Sequence, residues 1–470
     1  MKTPLLLCIA FLSVLSLKAQ FGPEQLISLD HENASIAIPH DLDNDGFVDI
    51  ISGAFGGKIV WHRNLDGNGT FGNEQLITSG AIALEDMQLA DFDGDTDMDI
   101  IYRTNLDKVA WLENEDGMGG FGTEKLIVQN EYPYNIRVGD LDGDGDIDVL
   151  AVHNSNSFQE QLVWYENMDG AGTFSAEKFI ALDTFNRFGI TVNDLDEDGD
   201  KDIIAATWDL APSKIKLYKN DGNGNFETVE TLYEFDSLIS DSYKINDLIV
   251  TDINNDGTKD FLITTDHDEA LNYVGWLRGV EGSLTFNDPV RAYVYNDPLY
   301  LYHMEHMDLD NDGDQDLLLG FATATNYGNF SYLINGGSGN YSNPVIASED
   351  IERTSHVTGA DIDNDNDIDA IVCSSFGQRL AWYPNNGNLL NINESAKNTS
   401  ILYPNPTHNN VYFNTSETIT SVRITTISGK VVKTVERPSF ITISELSKGM
   451  YFFTLTSDTG KISVEKIIKE

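Results

Sequence analysis

Cysteine is nearly absent: the 470 residues hold only Cys8 and Cys373. A disulfide framework is therefore excluded as the source of stability. Basic residues are scarce as well, 29 against 76 acidic ones, for a formal net charge of −47. That balance excludes nucleic acid as a partner, because phosphate recognition needs a basic patch. No helical periodicity runs through the chain. Beyond the first 19 residues no apolar run approaches the roughly 20 residues a membrane helix requires, so no transmembrane anchor is expected. The GxSxG, HExxH, paired-Cys and P-loop patterns are missing too, so no catalytic residue is assigned and the reading leans away from an enzyme.

Residues 1–19, MKTPLLLCIAFLSVLSLKA, have a short positive start at Lys2, an apolar core from Leu5 to Leu17 and a small residue at Ala19. This is the pattern of a secretory signal peptide, and the run is too short for a membrane helix. Cys8 falls inside the apolar core without small residues before it, which argues against a lipoprotein. A processed chain would keep Cys373 alone.

Such an acidic chain could be disordered. However, 41% of its residues are hydrophobic and 10% aromatic, and the acid is concentrated. Seven nonapeptides hold it: DLDNDGFVD, DFDGDTDMD, DLDGDGDID, DLDEDGDKD, DINNDGTKD, DLDNDGDQD and DIDNDNDID. Position 1 is Asp41, Asp91, Asp140, Asp194, Asp252, Asp308 and Asp361. Position 3 is Asp43, Asp93, Asp142, Asp196, Asn254, Asp310 and Asp363. Position 5 is Asp45, Asp95, Asp144, Asp198, Asp256, Asp312 and Asp365. Position 9 is Asp49, Asp99, Asp148, Asp202, Asp260, Asp316 and Asp369. Asp97, Asp146, Asp200, Asp314 and Asp367 add acid at position 7, so 32 of the 76 acidic residues lie at these five positions. Alternate oxygens pointing inward, with Gly at position 6 for a positive-φ turn, form a cradle for a hard cation. All-oxygen ligands and a flexible hairpin favour Ca²⁺ over Mg²⁺, up to seven ions in all. The 28 residues at positions 1, 3, 5 and 9 are the expected ligands, with the position-7 carbonyl. An EF-hand is excluded, because position 12 is never Glu and strand formers follow position 9. Thr96 replaces the turn Gly in the second loop and Asn254 removes a charge from the fifth. These two sites are expected to be weaker than loops 1, 3, 4 and 6.

The loops recur every 50, 49, 54, 58, 56 and 53 residues, a period that means a solenoid, propeller or array. Between them stand an aromatic strand ending in Asn (WHRN at Trp61, WLEN at Trp111, WYEN at Trp164, WYPN at Trp382) and the string FGxEQLI, first at Phe21. Each repeat thus supplies four short strands, as in a propeller blade. The chain opens with the fourth strand type and its last repeat lacks one. The predicted fold is all-β: a seven-bladed propeller closed by the N-terminal strand over residues 20–385, with an open superhelix as the alternative. Trp61, Trp111, Trp164, Trp276 and Trp382 recur at one blade position and read as core. Residues 386–400 form a polar linker. Residues 401–470 switch to a net charge of +2 and alternate as a small antiparallel β-sandwich.

Two resemblances sharpen this reading. The seven loops resemble the FG-GAP/VCBS repeats of integrin α-type propellers and many secreted bacterial proteins, which implies one Ca²⁺ per loop. Tyr403-Pro404-Asn405-Pro406, Ser428-Gly429-Lys430, Lys448-Gly449-Met450-Tyr451 and the terminal KISVEKIIK resemble the type A C-terminal sorting domain of the type IX secretion system. That implies a Bacteroidota-type source, export through the periplasm, engagement of the secretion machinery by residues 401–470, and release or attachment at the cell surface. The alternative for this tail is an adhesive immunoglobulin-like domain.

Function is expected on the face away from the acidic loops. There the irregular connections carry Tyr132, Tyr134, Phe185, Trp208, Tyr233, Tyr243, Tyr293, Tyr295, Tyr300, Tyr327 and Phe376, which could grip a glycan or protein or simply pack between blades. His303 and His306 are three apart on a strand and point to opposite faces, which argues against a metal shared between them. The leading expectation is a calcium-loaded adhesion or binding module. The alternative is a polysaccharide lyase, which would need His, Tyr and Arg or Lys gathered on that face.

Overall fold

In a computed structural model of the chain, the described residues are 21–29, 33–106, 108–129, 131–154, 160–207, 213–235, 244–266, 272–295, 299–323, 327–387, 402–403, 405–413, 418–426, 430–457 and 462–470. The signal-like segment, most of the linker, Trp208, Tyr243, Pro404 and the Ser428-Gly429 pair lie outside them. Two compact units divide the chain, residues 1–388 and 389–470.

The first unit consists of seven four-stranded antiparallel sheets. Blade 1 shows the pattern. Strand β2 (Ala34–His40) leads into the first acidic loop, β3 (Asp49–Ala54) leaves it, β4 (Ile59–His62) carries Trp61, and β5 (Gln75–Thr78) lies outermost. Its burial follows its sequence. β3 (DIISGA) and β4 (IVWH) are mostly apolar at consecutive positions and are wholly buried, as strands covered on both faces must be. In the outermost strand (QLIT) Gln75 and Leu76 are exposed and Ile77 and Thr78 half-buried. Strand β1 (Gln25–Ser28) pairs with Arg379–Tyr383 of the last repeat, Gln25 opposite Trp382, and supplies the fourth strand of blade 7.

Seven apolar cores lie between the blades, one for each neighbouring pair. Ala34, Ala37 and Ile50 of blade 1 pack with Ile362, Ile371, Leu380 and Trp382 of blade 7, so the ring is closed rather than an open superhelix. The recurrent Trp side chains are buried, and each packs on the Gly-rich turn of the following blade. A Cβ on Gly172 would sit 2.1 Å from Trp111, and that turn needs φ of +74° as well. Only glycine meets both demands.

The inner strands share one irregularity. Where strand 1 pairs with strand 2, six blades carry an extra residue: Ser35, Glu85, Tyr134, Asn246, Tyr302 and Ser355. In the fourth the register slips between Phe185 and Ile190. A bulge re-aims side chains, and these bulges sit at the end of the ring opposite the acidic loops.

The second unit has a three-stranded sheet (402–403, 410–413, 440–442) and a four-stranded sheet (419–426, 431–436, 449–457, 462–469) around one apolar core. Asn405 explains part of its motif. Its amide donates to the Lys466 carbonyl at 2.7 Å and its Oδ1 accepts from Ile468 N at 2.9 Å, tying the first motif to the last strand.

Candidate metal loops and the channel cavity

Each acidic loop is a turn knotted by its own carboxylates. Asp41 accepts from Asp45 N (3.1 Å) and Gly46 N (2.9 Å), and Asp45 accepts from Phe47 N (3.0 Å). Position 6 has positive φ in every loop, including Thr96 at 79° and Asn366 at 69°. Position 4 does too, which explains Asn or Gly there in six loops and leaves Glu197 strained at 61°.

The position-9 aspartates have no exposed surface in any of the seven loops. Asp148 accepts from Leu141 N and Asn167 N, both at 2.8 Å, and so ties the loop to the end of the aromatic strand. Burial pushes these carboxyls up, to about 6 for Asp49, Asp202 and Asp260 and about 7 for Asp99, Asp148, Asp316 and Asp369.

Position 3 is different. Asp43, Asp93, Asp142, Asp196, Asn254, Asp310 and Asp363 each hold a buried Oδ1 with no hydrogen-bond partner. An orphaned buried acceptor is costly, and a cation held at position 3 would relieve each of the seven. Carboxylate oxygens of positions 1, 3 and 9 converge within 4.8 Å in loops 2, 3 and 4, and those of positions 1, 3 and 5 in loop 1. The donor set thus fits Ca²⁺, with positions 1 and 3 at its centre. In five of the seven blades the residue before the strand-ending Asn or Gly is charged. Arg63 reaches Asp43 and Asp45, Lys219 reaches Asp196 and Asp198, and Arg278 reaches Asp256. In loops 2 and 3 that residue is Glu113 or Glu166, held by Lys125 and Lys178.

The strand-ending Asn joins neighbouring blades. Nδ2 of Asn167 donates to Phe92 O of the preceding loop, Asn220 to Leu141 O, Asn335 to Ile253 O and Asn385 to Leu309 O. Asn64 closes the ring on Ile362 O at 2.9 Å.

At the opposite end, five of the bulged residues (Ser35, Glu85, Asn246, Tyr302 and Ser355) and their neighbours line a channel cavity of about 770 Å³. Its wall gathers Asp86, Arg137, Asp247, Tyr302, His303 and His356. The buried Arg103 backs it, bonding Glu85 at 3.1 Å and Pro133 O at 3.3 Å. His303 Nδ1 lies 2.9 Å from Val357 O and so donates to it, and its ring stacks on His356 with centroids 3.9 Å apart. Burial, then His303, holds His356 well below the usual imidazole range. Burial raises the Asp247 carboxyl against the pull of His303 and Arg137. Beside the wall, the Arg353 guanidinium lies 5.0 Å from both the Tyr302 and Phe376 rings.

Of the aromatics expected on this face, Tyr132, Tyr300 and Phe376 are exposed, whereas Phe185 and Tyr295 are core. Tyr233 packs on Phe235 and donates to Asp288, and Tyr293 packs against Phe321. Phe55 and Tyr302, both exposed, were missed. His303 does not meet His306. Its partner, His356, comes from the next blade, and no signal in the sequence couples the two.

Comparison with known proteins agrees with the architecture. The description "FG-GAP-like repeat" matches residues 41–102, 91–151, 140–205, 194–263 and 308–372, more than half of the chain. The chain belongs to the FG-GAP-like repeat family. This FG-GAP protein also matches "Secretion system C-terminal sorting domain" over residues 401–470 and so carries a type IX signal for export to the cell surface or beyond. Among solved structures it is similar to BBS1N in complex with ARL6DN (9% identity, TM-score 0.47, covering 78% of this chain and 97% of that one). It is also similar to two extracellular domains from B. thetaiotaomicron, both at 12% identity and covering 95% of this chain. One belongs to a candidate hybrid two-component system (TM-score 0.42, 57% of that chain) and the other to a candidate one-component system (TM-score 0.46, 52% of that chain). No curated protein matches the chain. Among the described residues no helix is long and apolar enough to cross a membrane.

Proposed function

We propose that this FG-GAP protein is a calcium-loaded binding module delivered to the cell surface or medium, and that its ligand is a glycan held at the channel mouth opposite the loops. The observation that carries the reading is the pairing of exposed ring faces with a polar cavity. Tyr302 and Phe376 flank Arg353, Tyr300 and Tyr132 are exposed at the starts of the inner strands of blades 6 and 3, and the wall offers carboxylate, guanidinium, imidazole and amide groups. Sugar rings stack on such faces and present hydroxyls to such groups. Ca²⁺ in the loops would act at a distance by fixing the blade ends. The 28 residues at positions 1, 3, 5 and 9 remain the proposed metal-binding set, with adhesion as the broader role. The signal-like segment at residues 1–19 is proposed to start the export that residues 401–470 complete.

A glycan array with and without Ca²⁺ tests this reading, using Tyr302→Ala as the site variant. Retained binding in that variant would contradict the placement. A second reading has a specific observation behind it, because Tyr302, His303, His356 and Arg137 share one cavity, the grouping a polysaccharide lyase would need. Unsaturated products from any bound glycan would select that reading, and intact glycan would select the module.

A further inference from the structure

One cluster lies apart from both the loops and the channel wall. Ligand atoms of Glu131, His153 and Glu177 converge within 4.8 Å of one another. We propose that these three residues form a site for one divalent transition metal of the Zn²⁺ type, separate from the seven loops.

Blade 3 breaks the repeat. Glu177 is the glutamate of the FGxE string, equivalent to Glu24, Glu74 and Glu124. In the three sister blades that glutamate meets a cation placed three residues before the recurrent Trp. Arg379 bonds both oxygens of Glu24 at 3.2 Å, Lys58 meets Glu74 at 3.1 Å and Lys108 meets Glu124 at 2.6 Å. Blade 3 has Gln161 at that place. Among the described residues the missing cation is not supplied elsewhere. A second carboxylate arrives instead, because Glu131 stands two residues before the inner strand, where the preceding blade has Ile82. Among the described residues no Lys or Arg lies within ion-pair distance of either glutamate.

The buried imidazole completes the set. The His153 side chain is 2% exposed, its Nδ1 has no hydrogen-bond partner, and that atom lies 3.5 Å from Glu177 Oε2. Nε2 is 3.4 Å from the hydroxyl of the buried Tyr165. An Nε2–H donating to that oxygen leaves the Nδ1 lone pair facing the carboxylates, as in metal-bound histidines oriented by an outer partner. The burial that holds His153 near 4 opposes the alternative, a protonated imidazole acting as the cation itself. One imidazole nitrogen and two carboxylates suit Zn²⁺ or its neighbours, and the nitrogen disfavours Ca²⁺ and Mg²⁺.

The test uses the full chain in millimolar Ca²⁺, which keeps the loops occupied. Co²⁺ is titrated and its visible absorption followed, then Zn²⁺ is added as competitor. One equivalent of Co²⁺, displaced by Zn²⁺, is expected. Glu177→Gln and His153→Gln should weaken it at least about tenfold. Gln161→Lys restores the sister ion pair, so it should abolish binding while leaving the melting temperature and the Ca²⁺ response unchanged. It also guards against a misfolded His153 variant. No Co²⁺ or Zn²⁺ retained in millimolar Ca²⁺, or an equivalent that persists in both Glu177→Gln and Gln161→Lys, would overturn the site.

Discussion

Replacing Asn220 by Ala should test how the blades are held together. Asn220 is 3% exposed, and its Nδ2 donates to Leu141 O at 2.8 Å in the preceding loop and to Lys201 O at 2.9 Å in its own. Alanine would strand both carbonyls. At about 1–1.5 kcal/mol for each buried bond lost, the cost is roughly 3 kcal/mol. Unfolding entropy of about 2.1 cal/mol/K per residue gives a unit of this size on the order of 0.8 kcal/mol/K, so the midpoint should fall by about 4 °C. Asn114 supplies the control. It occupies the same repeat position, and its backbone N–H likewise bonds the position-9 carboxylate (Asp99, 2.8 Å). Its side-chain amide, however, has no partner at either end. Asn114→Ala should therefore cost less than about 1 kcal/mol. Thermal unfolding at saturating Ca²⁺ reads both. Equal losses would refute the reasoning, because the blade-to-blade bond would then contribute nothing beyond filling space.

Three further outcomes follow from the loops. Thr96→Gly should raise stability by about 1 kcal/mol, because Thr96 is held at φ 79° where a β-branched residue is strained; an unchanged denaturant midpoint would contradict this. Arg63→Gln should tighten Ca²⁺ binding at the first loop, since the guanidinium occupies Asp43 and Asp45 and must yield to the ion; calorimetry showing equal or weaker affinity would refute it. In chelator, the protein should lose stability as pH rises from about 4 to 7. The seven position-9 carboxyls have folded values raised to about 6–7, so their contribution is full below the unfolded value and is lost as pH climbs through the folded one. His40, His153 and His356, all lowered by burial, act in the opposite sense but are three against seven. A metal-free melting temperature that rises over that range would contradict the assignment.

The loops and the blade count were legible because their signals are local. Acid at every second position, a turn residue at position 6 and an apolar pair after position 9 each depend on near neighbours. The spare strand at Phe21 was legible for a similar reason, as an order of units rather than a contact. The left-handed position 4 was present in the sequence as Asn44, Gly94, Gly143, Asn255, Asn311 and Asn364, and could have been found by asking why only these types recur. Other features had no local trace. Asn64 and its receiving carbonyl, Ile362 O, sit at opposite ends of the repeat region. His303 meets His356 across a blade boundary, and the bulge that places Tyr302 on the wall breaks the alternation a strand reading depends on. Glu131, His153 and Glu177 are visible as a cluster only once the ring brings three separate segments together.

Cations in the acidic loops, if bound there, would hold the ring. The direct measurement is Ca²⁺ stoichiometry by equilibrium dialysis together with the unfolding temperature before and after chelation. Several ions per chain, up to seven, and a marked fall in unfolding temperature on chelation are predicted, because an ion that binds only the folded state stabilises it by mass action. No bound Ca²⁺, or an unfolding temperature indifferent to chelator, would contradict the assignment of the seven orphaned position-3 oxygens.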